Sequence, residues 1–559
     1  MKKLIAIVLS AICVIGLFAG CNNQPGTQET TPIDNPKGGK NITIGIPLDM
    51  NVEDYETNSL TTWIEEQTGH NLTFKTYAAS PSDYATQLSG QIMAGEALPH
   101  MLVQFDSIPW QIYGEDVGGS RYFLNLTDML MDREKSKNWW DAMESSFTQA
   151  QITAFIERAS NEYGEIIPFP TAERSYVDVL PFIAHINTGW LEKVGMDAPT
   201  NPEELYNVLK AFKQQCCVNE GRNSWPLISC GRSVLGSDSI WWIINMFCPG
   251  YDYDNYFGLT EDGMQLTTPF TSDKYREALI YIKKLVDEGL MSMETTNWEQ
   301  RDVRPLLNNY EHGIIIGHCT TVWTTEGAEN LYKYEPLDLY GYSKVNLSKG
   351  ARSTFITEQA EYDGVVDACW EILMLLCSKE GSIRVRYGEE GVTWQWNEDP
   401  DAKSYLGFEA WIDVIDDPFA QINNVTWSKP SPTVNPQAEG EFCTTAEMTD
   451  WMKYRFSLNA AGYHNFMKKA AENKYELPDL VMTQQEDDDT KAERQNTQNA
   501  LRKWESDFVQ GKKNAADNAT WQQYLDELNS KGLQTWLTQY QTIYETRYRE
   551  ATLEAGNAK

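Results

Sequence analysis

The chain has 559 residues, with 80 acidic and 46 basic side chains and a formal net charge of −34. This length exceeds one ordinary domain and is enough for two or three hydrophobic cores. The acidic balance argues against a nucleic-acid-binding protein and against a polybasic membrane-binding surface, because both need clustered lysine and arginine.

The first 40 residues are predicted to be an export signal followed by a tether. Two lysines precede an apolar stretch that is too short to cross the ~30 Å hydrocarbon core of a bilayer as a helix. Small residues then lead to Cys21, which indicates a secretory signal over residues 1–20, with cleavage at another position as the alternative. The sequence LFAGC resembles a bacterial lipobox, and this resemblance implies a lipid group on Cys21. Residues 21–40 are rich in Gly, Pro, Thr and Asn and predict a flexible linker.

From residue 41 the pattern alternates between strands and helices. The segment NITIGIP has the alternating isoleucines of a strand, and a helical stretch ended by Gly69 leads to a second strand, NLTFKTYA. A second helix ends at Gly95 and is followed by the strand LPHMLVQF. This order predicts a parallel sheet with right-handed crossovers, in which ligands bind at the carboxyl ends of the strands.

A second α/β block follows the turn-rich segment YGEIIPFP. Thr200 and Glu203 match a capping box, Ser272 is placed to cap a later helix, and SWPLIS and GIIIG predict short buried strands. From about residue 440 the pattern is helical and rich in tryptophan, interrupted by the acidic run 486–489, which predicts a solvated loop. We therefore predict two α/β lobes with a long helical C-terminal part.

The ten cysteines are scattered and include no CxxC pair, so zinc and thioredoxin-like sites are not indicated. Export permits disulfides, but Cys369 and Cys377 lie in an apolar helical stretch and are expected to be buried. We expect mostly free thiols.

The segment DYDNYFG has its glycine one place too late for a calcium loop, so no metal and no cofactor are predicted.

Five segments follow one another in a characteristic order. They are QIMAGEALPHMLVQ, NTGWLEKVGMDAPTNPEELYNVLKAFK, LNNYEHGIIIG, RYGEEGVTWQW and WESDFVQGKKNAADNATWQQYLDELNSKGLQTWLTQYQTIYETRY. Together they resemble the family-1 extracellular solute-binding proteins of ABC importers, in the long branch common in Gram-positive bacteria. The resemblance covers nearly all of residues 41–550. Two departures, His100 for an aspartate and Thr188-Gly189 for a charged pair, bear on subfamily and ligand more than on fold.

The resemblance implies an α/β, two-lobed periplasmic-binding-protein-like fold of type II, with a mixed, mostly parallel sheet in each lobe. It implies that the lobes divide the chain into 41–165 (N-lobe), 166–305 (C-lobe), 306–365 (N-lobe return and hinge) and 366–559 (C-lobe completion and C-terminal helices). The implied protein is a monomer, lipid-anchored at the extracellular face of the cytoplasmic membrane. It would capture a carbohydrate, with an oligosaccharide favoured, for the permease subunits of an ABC importer.

Sugars present apolar C–H faces, on which aromatic rings stack, and hydroxyl groups, which acids and amides bind. The candidate ligand-binding residues are polar or aromatic side chains expected at strand ends or lobe junctions: Asp49, Asn51, Asp106, Trp241, Trp242, Trp298, Trp323, Arg352 and Trp394. Each has a turn or packing role as its alternative. Trp241 and Trp242 are adjacent and cannot share one helix face, so at least one is expected in the core. Glu390 is expected to fix backbone amides in the GEEGVTW turn.

Two other classes of function stay open at this point. An exported glycosidase or lyase would need two carboxylates placed across a sugar, a spacing that sequence does not show. The chain has no GxSxG, HExxH or P-loop motif, so we predict that it is not an enzyme. A surface sensor or adhesin on the same fold would differ from an importer subunit only in its partners.

Without residues 1–20 the net charge of the chain is about −36 (44 basic minus 80 acidic side chains), which favours a neutral oligosaccharide as the ligand.

Overall fold

A computed structural model describes most of the chain from residue 38 onward. The described residues are 38–105, 122–147, 149–161, 163–173, 184–217, 223–229, 238–251, 256–292, 300–317, 328–339, 354–404, 407, 409–416, 418, 422–429, 434–435, 443–444, 450–478, 480 and 482–558. The predicted signal peptide and Cys21 lie outside them. No helix in this part of the chain is long and apolar enough to cross a membrane.

The strands are short and are distributed over the whole chain. They are β1 (Asn41–Pro47), β2 (Asn71–Tyr77), β3 (Met101–Leu102), β4 (Ala172–Glu173), β5 (Ala184–Asn187), β6 (Leu227–Ser229), β7 (Gly258–Leu259), β8 (Leu266–Thr267), β9 (Ile314–Ile316), β10 (Tyr334–Pro336), β11 (Phe355–Ile356), β12 (Trp394–Trp396), β13 (Ile412–Val414), β14 (Val434–Asn435) and β15 (Cys443–Thr444).

The helices surround these strands and dominate the C-terminal part. They are α1 (Ser59–Thr68), α2 (Pro81–Met93), α3 (Thr127–Met131), α4 (Lys137–Ser146), α5 (Gln149–Ala159), α6 (Thr188–Val194), α7 (Pro202–Gln215), α8 (Ser239–Phe247), α9 (Asp273–Asp287), α10 (Gln300–Asn309), α11 (Ala328–Leu331), α12 (Glu358–Tyr362), α13 (Val366–Leu376), α14 (Lys379–Tyr387), α15 (Asp450–Glu472), α16 (Gln484–Val509), α17 (Asn518–Lys531), α18 (Leu533–Ile543) and α19 (Arg549–Ala558).

The first lobe is built on a four-stranded sheet in the order β11-β3-β1-β2. Strand β1 pairs in parallel with β2 and with β3, while β11 is antiparallel to β3. The alternating residues Ile42, Ile44 and Ile46 are fully buried, as their spacing predicts. Helices α1 and α2 make the two crossovers and end before Gly69 and Gly95, both at positive φ. The predicted parallel start of the chain is confirmed.

The second lobe has its own four-stranded sheet, in the order β10-β5-β9-β6. Strands β6 and β9 are parallel, and β5 is antiparallel to both of its neighbours, β9 and β10. Ile314 and Ile316 of β9 belong to a large core that also contains Ile243 of α8, Trp504 of α16 and Trp536 of α18. The long helical C-terminal part therefore packs on the second lobe and extends its core.

The observed lobes differ from the expected division of the chain in two stretches. Strands β9 and β10, expected in the first lobe, pair within the second sheet. Strand β11 and helices α12 to α14 lie in the first lobe, where Cys369 and Leu373 share a core with Ile44. The first lobe therefore includes 366–387, which the expected division gives to the second lobe, and Trp427 also belongs to its core. Short apolar segments carry no local signal for which of two sheets they join, because that choice depends on distant partners.

Two histidines hold the amino-terminal end of the central strand β1. The His70 and His100 Nδ1 atoms accept the backbone N–H groups of Lys40 (3.1 Å) and Thr43 (3.0 Å). The Nε2 atom of His100 lies 3.1 Å from an Asp363 carboxylate oxygen. His100, which stands where the family has an aspartate, therefore has a structural role. Its imidazole accepts the Thr43 N–H, which the two-residue strand β3 does not pair.

Helix α7 begins one residue later than the predicted capping box. Asn201 is the N-cap, and its side chain accepts the N–H of Glu204 at 3.0 Å. The Glu204 carboxylate in turn accepts the backbone N–H and the hydroxyl of Thr200, each at 2.8 Å. These hydrogen bonds lower the pKa of Glu204. The predicted pairing of Thr200 with Glu203 is wrong by one position, whereas Ser272 caps α9 as predicted.

This N-cap gives a test of the observed register. Asn201→Ala should lower the free energy of unfolding by about 1 kcal/mol, because it removes the acceptor for an otherwise unpaired helix N–H. Glu203→Ala is the matched control, since the sequence pattern but not the structure assigns it to the cap. Urea unfolding of both variants measures the difference, and a larger loss for Glu203→Ala would contradict the observed cap.

The acidic run 486–489 is helical, so the predicted solvated loop is wrong. It lies in the first turns of α16, where Thr483 caps the helix and the Glu486 carboxylate accepts the Thr483 N–H at 2.8 Å. Glu486 also pairs with Arg547 at 2.7 Å. Carboxylates are favourable at this end of a helix because the unpaired N–H groups there carry partial positive charge.

The cysteines of α13 are buried, as predicted. Cys369 is fully buried and Cys377 nearly so, both in the first-lobe core. Cys248 and Cys369 are free thiols. Burial raises the pKa of Cys369 to about 12 and that of Cys248 to about 11, so both stay protonated near neutral pH.

Candidate ligand site between the two lobes

The chain enters and leaves the second lobe at the carboxyl edge of its sheet. Strands β6 and β9 end there, at Ser229 and Ile316. Because β5 is antiparallel to β9, it begins at this same edge, with Ala184 opposite Ile316. Strand β10 is antiparallel to β5 and ends beside its start, with Pro336 opposite His185.

The return connection reaches the first lobe at the carboxyl edge of its sheet as well. Strand β11 begins with Phe355 opposite Leu102, the last residue of β3. The connection between β10 and β11 therefore joins one carboxyl edge to the other. The connection therefore links the two edges at which α/β sheets bind ligands. Strands β4 and β14 form a separate parallel pair.

The first-lobe wall of this junction is the turn after β1. An Asp49 carboxylate oxygen accepts the Asn51 N–H at 2.9 Å, which holds the side chain at the strand end. The Tyr55 hydroxyl donates to the Pro47 carbonyl and accepts the Asp49 N–H, each at 3.2 Å. Burial raises the pKa of Tyr55 to about 12, so this hydroxyl stays protonated and able to donate. The two predicted residues Asp49 and Asn51 are thus brought together at the strand end.

A second segment fixes this turn from the side. Asn423 donates its N–H to the Asn51 carbonyl at 2.8 Å and accepts the Glu53 N–H at 3.0 Å. Leu48 and Met50 flank Asp49 and are exposed, Met50 by 86%. The wall therefore offers acid and amide groups next to aliphatic surface, a combination suited to a ligand with both hydroxyl groups and C–H faces.

Gln104, at the end of β3, was not a sequence candidate. It has φ of +67°, one of two positive-φ non-glycine residues in the described part of the chain. Its side chain is buried and donates to the Trp427 carbonyl at 3.1 Å. Non-glycine residues in this conformation are uncommon and concentrate at functional sites. No pattern in the sequence signals such a backbone.

In the second lobe, the end of β6 meets the start of α8. The Ser229 and Ser239 hydroxyls are 2.9 Å apart and both side chains are buried. The Asp238 carboxylate is half-buried and caps α8 by accepting two N–H groups at 3.0 Å. Trp241 and Trp242, the next residues along α8, are 2% and 0% exposed. Both tryptophans lie in the second-lobe core, which agrees with the expectation that at least one of them would. Their burial argues against a ligand contact by either ring in this conformation.

The GEEGVTW turn has a structural role, with its tryptophan buried and its Glu390 in an ion pair. Trp394 is fully buried, and its ring N–H donates to the Gly388 carbonyl at 2.9 Å. Glu390 pairs with Arg384 at 3.2 Å rather than with backbone amides. The Arg384 guanidinium lies 5.5 Å from the Trp394 ring. The structure thus gives Trp394 a packing role, because no face of its ring reaches solvent.

The remaining predicted site residues, Asp106, Trp298, Trp323 and Arg352, lie outside the described residues, as does most of the DYDNYFG segment. Within the described ranges, no group of three or more His, Cys, Asp or Glu side chains is placed to hold a metal ion. The described walls offer hydrogen-bonding and aliphatic groups for a bound solute.

Comparison with curated proteins finds relatives over part of the chain. No protein-family model matches it. The lipoprotein LipO of Bacillus subtilis (strain 168) is 27% identical over 311 residues, which are 54% of each chain. The fructooligosaccharide ABC transporter substrate-binding protein FusA of Streptococcus pneumoniae is 23% identical over 310 residues, 52% of each chain. The matched region thus spans about half the length of these relatives.

Solved structures match nearly the whole chain in fold. FusA of S. pneumoniae in complex with kestose has a TM-score of 0.66 and 17% identity, over 90% of this chain and 99% of that chain. A solute-binding protein from Bifidobacterium longum infantis, described as binding HMO, has a TM-score of 0.68 and 16% identity, over 91% and 99%. At this identity the likeness shows the two-lobed fold. Over about half of its sequence and nearly all of its fold, the chain is similar to substrate-binding proteins of ABC transporters, the family that its five sequence segments resemble.

Proposed function

We propose that this protein is a lipid-anchored extracellular solute-binding protein that captures an oligosaccharide between its lobes and delivers it to the permease of an ABC importer. The observation that carries the proposal is the topology of the lobe junction. The β10–β11 connection joins the carboxyl edges of the two sheets, and these are the edges at which α/β sheets bind ligands. Relatives named for fructooligosaccharides, kestose and HMO support a carbohydrate as the solute.

Capture requires that one ligand contact both walls. Asp49 and Asn51 stand on the first-lobe wall, and Asp238 stands at the start of α8 on the second. A sugar that hydrogen-bonds to both walls binds the closed arrangement more tightly than the open one, and only this difference in affinity can drive closure. The lipid on Cys21 and the linker that follows it would keep the protein beside its permease.

The test is thermal melting of the soluble protein lacking residues 1–21, against a panel of plant and host oligosaccharides. A ligand at about 100 times its Kd adds roughly 2.7 kcal/mol to the free energy of unfolding and should raise Tm by a few degrees. The shift should be selective, and chromatography should recover the sugar intact.

The Asp49 carboxylate provides the control within this experiment. Asp49→Ala should weaken binding about tenfold or more, because a hydrogen bond to a charged group is worth roughly 1.5–3 kcal/mol. Asp141→Ala removes an exposed carboxylate on α4 and should leave the shift unchanged. Recovery of a cleaved sugar would favour a glycosidase or lyase. Absence of any shift across the panel would contradict a carbohydrate ligand.

A further inference from the structure

A small third sheet carries an exposed indole that the cleft does not use. Strands β12, β13 and β15 form this sheet, and Trp396 on β12 is 37% exposed, whereas Trp411 beside β13 is half-buried. Lys379, at the start of α14, lies against both rings, with its Nζ 3.7 Å from the Trp411 centroid and 5.8 Å from the Trp396 centroid. We call these three residues the Trp396 platform.

The platform is rigidly supported. Trp396 pairs with Ile412 across the strands, and the Asn397 N–H donates to the Trp411 carbonyl at 2.9 Å. The buried Trp394 ring stands edge-on to the Trp396 ring, with the centroids 5.1 Å apart and the planes at 88°. A ring held in this way loses little conformational entropy when a ligand stacks on it.

One polar group lies beside the rings. The Lys379 ammonium can donate hydrogen bonds, and burial lowers its pKa, while Glu409 opposes that shift. An apolar ring face beside a hydrogen-bond donor matches a sugar ring, which has C–H faces and hydroxyl edges.

A series of contacts runs from the first-lobe wall to Gly388, which accepts the ring N–H of Trp394 beneath the platform. Val425 fills the space beside Gly388, with a side-chain atom 2.6 Å from where a glycine Cβ would stand. The next residue, Thr426, accepts the side-chain N–H of Asn58, the N-cap of α1, at 2.9 Å. The same segment carries Asn423, which pairs with Asn51 in the wall. A continuous stretch of the first lobe thus connects the wall to the platform.

We propose that the Trp396 platform is an outer subsite that stacks one sugar ring of an oligosaccharide whose other end occupies the cleft. This inference rests on the proposed function and deepens it, because it makes the protein selective for chain length. Short sugars would contact the cleft alone, whereas longer chains would gain the contact with Trp396.

The test is calorimetric titration of wild type and Trp396→Ala with one neutral oligosaccharide series, from disaccharide to hexasaccharide, chosen as the series that shifts the wild-type Tm. Loss of a ring that stacks on a sugar should weaken the longer members about tenfold and leave the shortest binding member unchanged. Trp396→Phe should recover part of the affinity. Tyr362→Ala is the matched control, since it removes a 79% exposed ring from α12, which follows β11 on the opposite side of the first sheet from the cleft.

Three outcomes would overturn the inference. Equal affinity of wild type and Trp396→Ala at every chain length would show that the ring makes no contact. A uniform loss at all lengths with a lowered Tm would show that it serves packing only. If the wild type binds no member of any series, the proposed function fails and this subsite fails with it. An effect confined to the longer chains, with Tm unchanged, supports the subsite.

Discussion

Lowering the pH from 7 to 5 should destabilise the second lobe more than the first, because two uncharged histidines lie in the core of the second lobe. His185 of β5 and His312, just before β9, are both fully buried. Burial lowers the pKa of His185 to about 3 and that of His312 to about 4, although the Leu306 carbonyl and Glu311 oppose the shift of His312. Neither ring can be protonated in the folded state without placing a charge in an apolar core.

The sign of the effect follows from proton binding. In the unfolded chain both imidazoles regain an ordinary pKa of about 6.5, so below that pH the unfolded state binds more protons than the folded state. The stabilisation is complete above pH ~6.5 and is lost as the pH falls toward the folded-state values. Each histidine should cost roughly 1 kcal/mol for each pH unit in this window.

Hydrogen exchange at pH 7 and pH 5, corrected for intrinsic rates, measures the effect separately in β9 and in β1. His312→Gln should reduce the pH dependence, since an amide can accept the Trp225 N–H that the imidazole accepts at 3.2 Å and it does not titrate. His464→Gln, at an exposed position on α15, is the matched control. An unchanged pH dependence in His312→Gln, or equal loss of protection in the two lobes, would contradict this account.

Trp394→Ala should cost about 3–5 kcal/mol of stability in the third sheet, the largest single loss that we expect there. The ring is fully buried, packs with Ile412 and Val414 and donates its N–H to Gly388. Trp394→Phe keeps most of the packing and removes that hydrogen bond, so it should cost about 1 kcal/mol in addition to any packing loss.

Urea unfolding of the two variants, combined with oligosaccharide titration, separates packing from ligand contact. The packing role predicts that Trp394→Ala lowers the free energy of unfolding. It also predicts weaker binding of the longer sugars only, because the Trp394 ring supports the Trp396 platform. A variant with unchanged stability but weaker binding of every sugar would instead support the ligand-binding role that the sequence suggests for Trp394.

The position of each aromatic side chain shows where sequence patterns stop being informative. Trp241, Trp242 and Trp394 were candidates because tryptophan suits sugars, but tryptophan suits cores equally well, and all three are buried. Trp396, two residues after Trp394 on the same strand, is exposed. The difference arises from packing against Arg384, α14 and β13, and no local pattern distinguishes it. The positive φ of Gln104 likewise has no local sequence signal, since its side chain is held by a carbonyl more than 300 positions away.

The sequence by itself determined the features that depend on near neighbours. The alternating isoleucines of β1, the helical spacing and glycine stops of α1 and α2, the Ser272 cap and the tryptophan-rich C-terminal helices all follow from interactions within a few residues. The order of five family segments likewise predicted the two-lobed fold. Only the tertiary structure decided which sheet β9, β10 and β11 join and which sheet edges the β10–β11 connection links. Those features depend on contacts between residues more than a hundred positions apart, and local periodicity carries no information about such pairs.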